Sequence, residues 1–300
     1  MSNPSQIDIS DKQMSLLRTK IIVILGVVGV SFSAILVRYA SAPSMVLVFY
    51  RLFLAALIMT LPGIRSLRRE RMYITKKDLL CCLVSGFFLA FHFFAYFQAV
   101  KLTSIAAAVV LVDVEVFFVA FAQIVFFREK LSKLAWIGIL VTFLGSVIIA
   151  AGDVGGGSGG SLIGDLWALS GAFFLGVYTI MGRICRKHMT TASYTTVVYW
   201  VTSVTALTML LIRSTPVIGW SLRDIGCAFG MTILCTLLGH SVFSWGLKFI
   251  SPSYIATVKL LEPVFASILG IIFFAEFPAV TAVVGGLIVI AGVYLASNAA

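Results

Sequence analysis

The chain has 300 residues, of which 60% are hydrophobic and only 11% charged, against about 25% charged in ordinary soluble domains. That composition excludes a soluble globular protein. The formal charge of +10 would suit a nucleic-acid binder, but the basic residues are dispersed over short connections between apolar runs, which excludes that class too.

Ten apolar runs follow one another: Ile21–Val37, Ser44–Leu61, Leu79–Ala99, Ser104–Phe127, Leu134–Ala151, Leu162–Met181, Tyr194–Ile212, Ile225–Leu247, Ser253–Phe274 and Val280–Ala296. A helix rising about 1.5 Å per residue crosses about 30 Å of hydrocarbon in roughly 20 residues. In lipid only helices and closed barrels satisfy their backbone groups, and barrels would show alternating segments instead. The expected fold is therefore all-α, a polytopic membrane protein of ten transmembrane helices. Residues 1–20 are expected to form a polar tail. Ala40-Ser41-Ala42 has the look of a signal-peptide cleavage site, but the leader and apolar run are long and Arg38 precedes the supposed cut. The first run is read as a retained helix.

With the N-terminus inside, sixteen of the 22 lysines and arginines fall on the cytoplasmic side. Four (Arg38, Lys101, Arg213, Arg223) fall on the other side, and Arg51 and Lys259 lie within helices. This positive-inside bias predicts a cytoplasmic (inner) membrane location with both termini in the cytoplasm. Cys81, Cys82, Cys185, Cys227 and Cys235 have no C-x-x-C spacing and read as buried small hydrophobes.

The glycine-rich stretch "DVGGGSGGS", Asp153 to Ser161, reads as a flexible linker. No Lys-Ser or Lys-Thr follows it, so it is not a phosphate-binding loop. It separates repeats expected at 21–151 and 162–300, with the linker at 152–161. An ungapped shift of 147 pairs Lys101 with Lys248, Ser104 with Ser251, Glu115 with Glu262 and Glu129 with Glu276. It also pairs Gly138 with Gly285 and Gly145 with Gly292. Five helices per repeat is an odd number, so the second repeat must enter the membrane inverted. Inverted repeats are typical of secondary transporters, with the substrate near the midplane between them.

The stretches "FYRLFLAAL" (Phe49–Leu57), "AVKLTSIAAAV" (Ala99–Val109), "FFREKLS" (Phe126–Ser132) and "LLEPVFASILGIIFFAE" (Leu260–Glu276), with the helix ends "GILVTFLG" and "GGLIVIAG", resemble the drug/metabolite transporter superfamily. Within it they look like the EamA-type ten-helix bacterial exporters. The resemblance implies an inverted-repeat carrier that exports amino acids or other small metabolites. One departure is clear: Leu261-Glu262-Pro263 is intact, but its first-half counterpart, Val114-Glu115-Val116, lacks the proline.

Ionisable groups inside the membrane are expensive and mark functional sites by default. Lys259 and Glu262, three apart, share a helix face and are expected to pair, either fixing helix packing or lining a polar cavity where Lys259 holds a substrate carboxylate. Glu115 takes the repeat position of Glu262. Asp113, two residues away, is expected on a different face. Arg51 is the expected partner of one of these carboxylates, in a structural role. Two cations cannot neutralise three carboxylates, so a proton is a candidate coupling ion. His92 and His240 are either proton relays or neutral packing residues. Trp167, Gly171, Phe174 and Tyr178 form one helical stripe, and Phe87, Phe91, Phe94 and Gln98 another with Tyr96 close by. Each stripe is either aromatic packing or a cavity wall, with Trp167 and Tyr178 the better candidates for substrate contact because each has a polar handle.

No cofactor is implied, and no metal-ligand spacing occurs around the histidines. The sequence offers neither the nucleophile cluster of an intramembrane enzyme nor a repeated filter segment of a channel. The expected function is a secondary transporter exporting small metabolites, amino acids (aromatic ones among them) or related compounds; a drug or other organic-solute carrier is the alternative within the fold. The expected partners are that solute, the lipid bilayer and protons, with no nucleic acid and no stated oligomer.

Overall fold

Apolar runs that must close their own backbone hydrogen bonds become helices, and the computed structural model, which describes residues 4–103, 105–153, 162–274 and 280–298, consists of helices joined by short connections. Glu276 and Ser104, two of the residues paired by the internal repeat, lie outside these segments. The first repeat comprises α1 (Pro4–Tyr39), α2 (Ser44–Glu70), α3 (Lys76–Leu102), α4 (Ile105–Asp113), α5 (Glu115–Phe127) and α6 (Lys133–Asp153). The second comprises α7 (Leu162–Cys185), α8 (Thr191–Ile212), α9 (Leu222–Gly230), a π-helical stretch Met231–His240, α10 (Ser241–Gly246), α11 (Pro252–Lys259), α12 (Glu262–Phe274) and α13 (Val280–Asn298). Helix α1 reaches back to Pro4, through the segment expected to be a tail.

Grouping the pieces that continue one another gives ten membrane crossings. The fourth is α4 with α5, the eighth is α9 through α10, and the ninth is α11 with α12. Among the described residues eight helical stretches are long and apolar enough to span, and shorter apolar helices at Lys133–Ile148 and Val283–Asn298 supply the fifth and tenth.

The inversion is visible in one contact. A Cβ added to Gly145 would stand 2.8 Å from the carbonyl oxygen of Gly285, and one added to Gly292 would stand 2.9 Å from that of Gly138. Lower numbers on α6 meet higher numbers on α13, so these equivalent helices run antiparallel. Exchanging the repeats (138 for 285, 145 for 292) turns the first contact into the second. Small residues permit such backbone approach in membranes, where van der Waals packing drives helix association.

Three further pairs of crossings, one from each repeat, are antiparallel as well. Helix α2 lies on α8, α3 on α7, and α1 on the π-helical stretch. At one end of the bundle, which carries Arg68, Arg69 and Arg186, Glu70 accepts from the Thr190 amide at 2.9 Å and Arg183 pairs with Glu129 at 3.3 Å. At the other, Lys101 donates to the Ala42 carbonyl at 2.7 Å and Thr103 to Asp165 at 3.0 Å. We refer to the first as the basic end.

Candidate functional site: a polar cavity at two broken helices

The fourth and ninth crossings are interrupted at equivalent points. Val114 separates α4 from α5, Leu260 and Leu261 separate α11 from α12, and Glu115 and Glu262 each open the following half-helix. Proline is not the cause in both cases, because only the second break is followed by one, Pro263. Pro263 lies in the first turn of α12, where a missing amide hydrogen costs little. Unwound backbone at membrane depth is tolerated where it is covered by protein or lines a cavity.

A cavity of about 40 Å³ lies at these breaks. Its charged and polar lining is Ser33, Arg51, His92, Tyr96, Asp113, Glu115, His240, Lys259 and Glu262, drawn from both repeats, with Phe93 and Phe243 among its apolar walls. Eight of the ten candidates read from the sequence therefore meet in one place. The other two do not line it. Tyr178 is buried, with its hydroxyl 2.9 Å from Ser244 Oγ, and meets the site's lining at the His240 ring, edge-on at 6.1 Å between centroids. Trp167 packs edge-on against Phe94 at 5.3 Å. The aromatic stripe of α7 is thus packing against α3: Phe174 meets Phe88 and Phe91.

Three electrostatic expectations are corrected. Lys259 does not pair with Glu262. The helix ends between them, and the Lys259 ammonium donates to Glu115 Oε2 across the repeat boundary. The other oxygen of Glu115 accepts from Thr179 at 2.7 Å. Among the described residues Arg51 pairs with no carboxylate: Nε donates to Thr236 Oγ1 at 2.7 Å and Nη1 to Ser33 Oγ at 3.3 Å, with the guanidinium 4.1 Å from the Phe93 ring centroid. Asp113 and Glu115 do share one cavity, because the break at Val114 turns the second half-helix relative to the first. Regular helical spacing does not hold across a break.

Several buried polar atoms of residues lining the cavity have no hydrogen-bond partner among the described residues: Arg51 Nη2, Tyr96 OH, Asp113 Oδ2 and His240 Nδ1. Glu262 makes no side-chain hydrogen bond among the described residues. Leaving such groups unmade costs about 1–3 kcal/mol each, and more for charged ones. A folded chain keeps four together where something else satisfies them. The volume holds on the order of three waters at about 10–15 Å³ each, so an organic solute requires the repeats to part further. His92 is fixed by the Gly171 carbonyl at 3.0 Å, and its ring lies 6.3 Å from that of His240. The two histidines form an adjacent pair across the two repeats.

Toward the basic end a second cavity of about 210 Å³ is lined by Gln123, Glu129, Lys130, Ser132, Ser251, Ser253 and Thr257. On α5 the buried apolar residues Val116, Val119 and Ala120 stand between Glu115, which lines the first cavity, and Gln123, which lines the second. Among the described residues no cluster of His, Cys, Asp or Glu could hold a metal ion.

Sequence reasoning missed Ser33, Thr179 and Thr236, the hydroxyls that hold Arg51 and Glu115. Their only signal is a polar side chain on a helix whose neighbours are apolar, and Ser and Thr are too common in membrane helices for that to single them out.

The sequence profile of the EamA-like transporter family matches residues 17–151 and again 162–298. An uncharacterized transporter, YxxF, of Bacillus subtilis is 26% identical over 96% of this chain and 91% of its own length. The pseudopaline exporter CntI of Pseudomonas aeruginosa is 25% identical over 85% of this chain and 87% of its own. A crystal structure superimposes with a TM-score of 0.77 at 17% identity, covering 94% of this chain and 96% of that one, which supports the fold alone. With two matches that together span nearly all of the chain, each on one five-helix unit, this protein is a multi-pass membrane transporter of the EamA-like transporter family.

Proposed function

We propose that this transporter is a secondary carrier that exports a small metabolite bearing both a carboxylate and an amino group, an amino acid or a compound like one, by alternating access around the cavity at the broken helices. The observation that carries this reading is the set of unpartnered polar atoms in that cavity. Arg51 Nη2 is a vacant cationic donor, suited to a carboxylate. Asp113 Oδ2 and the Glu262 carboxylate are vacant acceptors, suited to an ammonium. Phe93, Tyr96 and Phe243 supply apolar surface for the remainder of the solute. In this reading Lys259 is already occupied by Glu115, so the carboxylate-binding role passes from Lys259 to Arg51.

Charge balance supports proton exchange. Asp113, Glu115 and Glu262 face Arg51 and Lys259, one positive charge short of neutrality. A proton supplies that charge, whereas a zwitterionic solute leaves the total unchanged. The solute's ammonium and a proton nevertheless compete for the same carboxylates, Asp113 and Glu262, and such competition couples one flux to the other. The basic end supports a cytoplasmic-membrane orientation with both termini in the cytoplasm, and the similarity to a named exporter supports outward transport.

The test is counterflow of radiolabelled amino acids in proteoliposomes, with Arg51→Ala and Lys259→Ala as comparisons. Loss of a charge-assisted hydrogen bond of about 1.5–3 kcal/mol predicts a tenfold or greater loss of apparent affinity for Arg51→Ala. Counterflow unchanged by Arg51→Ala would overturn the assignment of the carboxylate, and flux indifferent to an imposed pH gradient would exclude proton exchange.

A further inference from the structure

The third crossing of each repeat begins with the same device. Thr75-x-x-Asp78 opens α3, and Ser221-x-x-Asp224 opens α9. In both, the hydroxyl accepts from the aspartate amide, at 3.1 Å from Asp78 and 3.2 Å from Asp224, and donates to one carboxylate oxygen, Oδ2, at 2.7 and 2.6 Å. Such reciprocal capping satisfies a helix start locally and uses half of the carboxylate.

The other half crosses to the opposite repeat. Asp78 Oδ1 lies 3.2 Å from His188 Nδ1, in the turn that joins α7 to α8. Asp224 Oδ1 accepts from the amides of Ser41 and Ala42 at 2.6 and 3.0 Å, in the turn that joins α1 to α2. Ser41 Oγ also donates to Asp224, at 3.0 Å to Oδ2, and Lys101 closes on the Ala42 carbonyl. The two turns are equivalent in the repeats, and they lie at opposite ends of the bundle. Both aspartates are buried, at 2% and 3% exposure, in places where a lone capping residue would ordinarily face water.

We infer that Asp78 and Asp224 are a matched pair of latches, one at each end of the membrane crossing, whose alternate release sets which end of the central cavity is open. They are positioning residues: neither lines the cavity. The inference rests on the alternating-access reading and adds to it the parts that bias the equilibrium. Exchanging the repeats interconverts the two latches, which is the requirement for parts that differ between two mirror-related states. The latches are unequal here. At the opposite end Asp224 takes three donors from the partner repeat, whereas at the basic end Asp78 takes a single imidazole that is half exposed. The larger cavity lies toward the basic end, where the aspartate contact is the weaker of the two.

The chain carries its own reporters. Cys81 and Cys227 stand one turn after Asp78 and Asp224, each 8% exposed, whereas Cys82, Cys185 and Cys235 are fully buried and serve as controls. The experiment uses the full-length protein in nanodiscs, where both ends meet solvent, and measures alkylation by a charged methanethiosulfonate at each cysteine by peptide mass spectrometry. Asp224→Ala is expected to raise the rate at Cys227 and lower it at Cys81, and Asp78→Ala the reverse, each by about tenfold for a charge-assisted bond of ordinary strength. His188→Ala, which leaves the α3 cap intact, should reproduce Asp78→Ala. Thr75→Ala and Ser221→Ala remove only the local cap and should leave the ratio of the two rates near that of the parent. A change confined to the substituted end, or an equal response to the cap-only variants, would overturn the latch and leave these aspartates as helix caps. Because the readout needs no solute, its failure is separate from a failure to find transport, which would strike the carrier reading instead.

Discussion

The two repeats share a scaffold and differ in the chemistry hung on it. Both broken crossings fail at the same point and place a glutamate on the first residue of the second half-helix, although only one has a proline beside it. The shift that superimposes Glu115 on Glu262 superimposes Val112 on Lys259, so the ammonium has no twin. As a result Glu115 has both oxygens occupied, by Lys259 and Thr179, and Glu262 has neither occupied within the described residues. The comparison teaches that the break is a property of the fold, and that one lysine turns two equivalent carboxylates into a structural one and a vacant one.

Substitution at the two glutamates breaks this comparison most severely. Glu115→Gln leaves the Lys259 ammonium buried beside a neutral amide, which costs about 3–5 kcal/mol when one partner of a buried pair is removed. The expected outcome is loss of folded protein by fluorescence-detected size exclusion, with recovery in the charge-swapped pair Glu115→Lys, Lys259→Glu. The same chemical change at Glu262 strips no protein partner among the described residues. Glu262→Gln should therefore fold and elute like the parent while losing about tenfold or more in counterflow, the worth of one charged hydrogen bond.

The α6–α13 crossing sharpens the comparison at a place where the repeats are alike. A Cβ at Gly145 would stand 2.7 Å from the Val289 nitrogen, and at Gly292 2.5 Å from that of Thr142. Gly145→Val and Gly292→Val should each lower stability by about 1–3 kcal/mol through overpacking, read as matching drops in melting temperature. Gly171→Ala, whose nearest neighbour would be 3.5 Å away, should not shift it. The smallest effect is expected from Pro263→Ala. Since α4 and α5 part without a proline, the ninth crossing should stay broken and stability should change by less than about 1 kcal/mol.

Much of this was legible in the sequence. Ten apolar runs, an odd number per repeat and a constant shift among rare charged residues define the inverted architecture, because the bilayer allows so few alternatives. Eight cavity-lining residues were legible for a related reason: Arg51, Lys259 and their carboxylate neighbours are too costly in lipid to be incidental. Their pairings were not legible. The expectation that Lys259 meets Glu262, and that Asp113 and Glu115 diverge, assumed a continuous helix, and no residue at Val114 announces that it is interrupted. The α7 stripe misled because Trp167 and Tyr178 have the spacing of a lining face, and spacing does not tell which neighbour a face meets. The eighth crossing shows a related limit. His92 follows Asp78 by 14 residues and His240 follows Asp224 by 16, and the intervening π-helical stretch falls where the extra residues must be accommodated.

The glycine crossing of α6 and α13 carries one more consequence. Its contacts map onto themselves when the repeats trade places, whereas those of α3 with α7 map onto those of α1 with the π-helical stretch. If the carrier toggles between two conformers of interchanged halves, the first set is invariant by construction and only the second can register the toggle. Spin labels flanking the α6–α13 crossing would then supply a fixed ruler inside the molecule, a zero against which every other interprobe distance could be read.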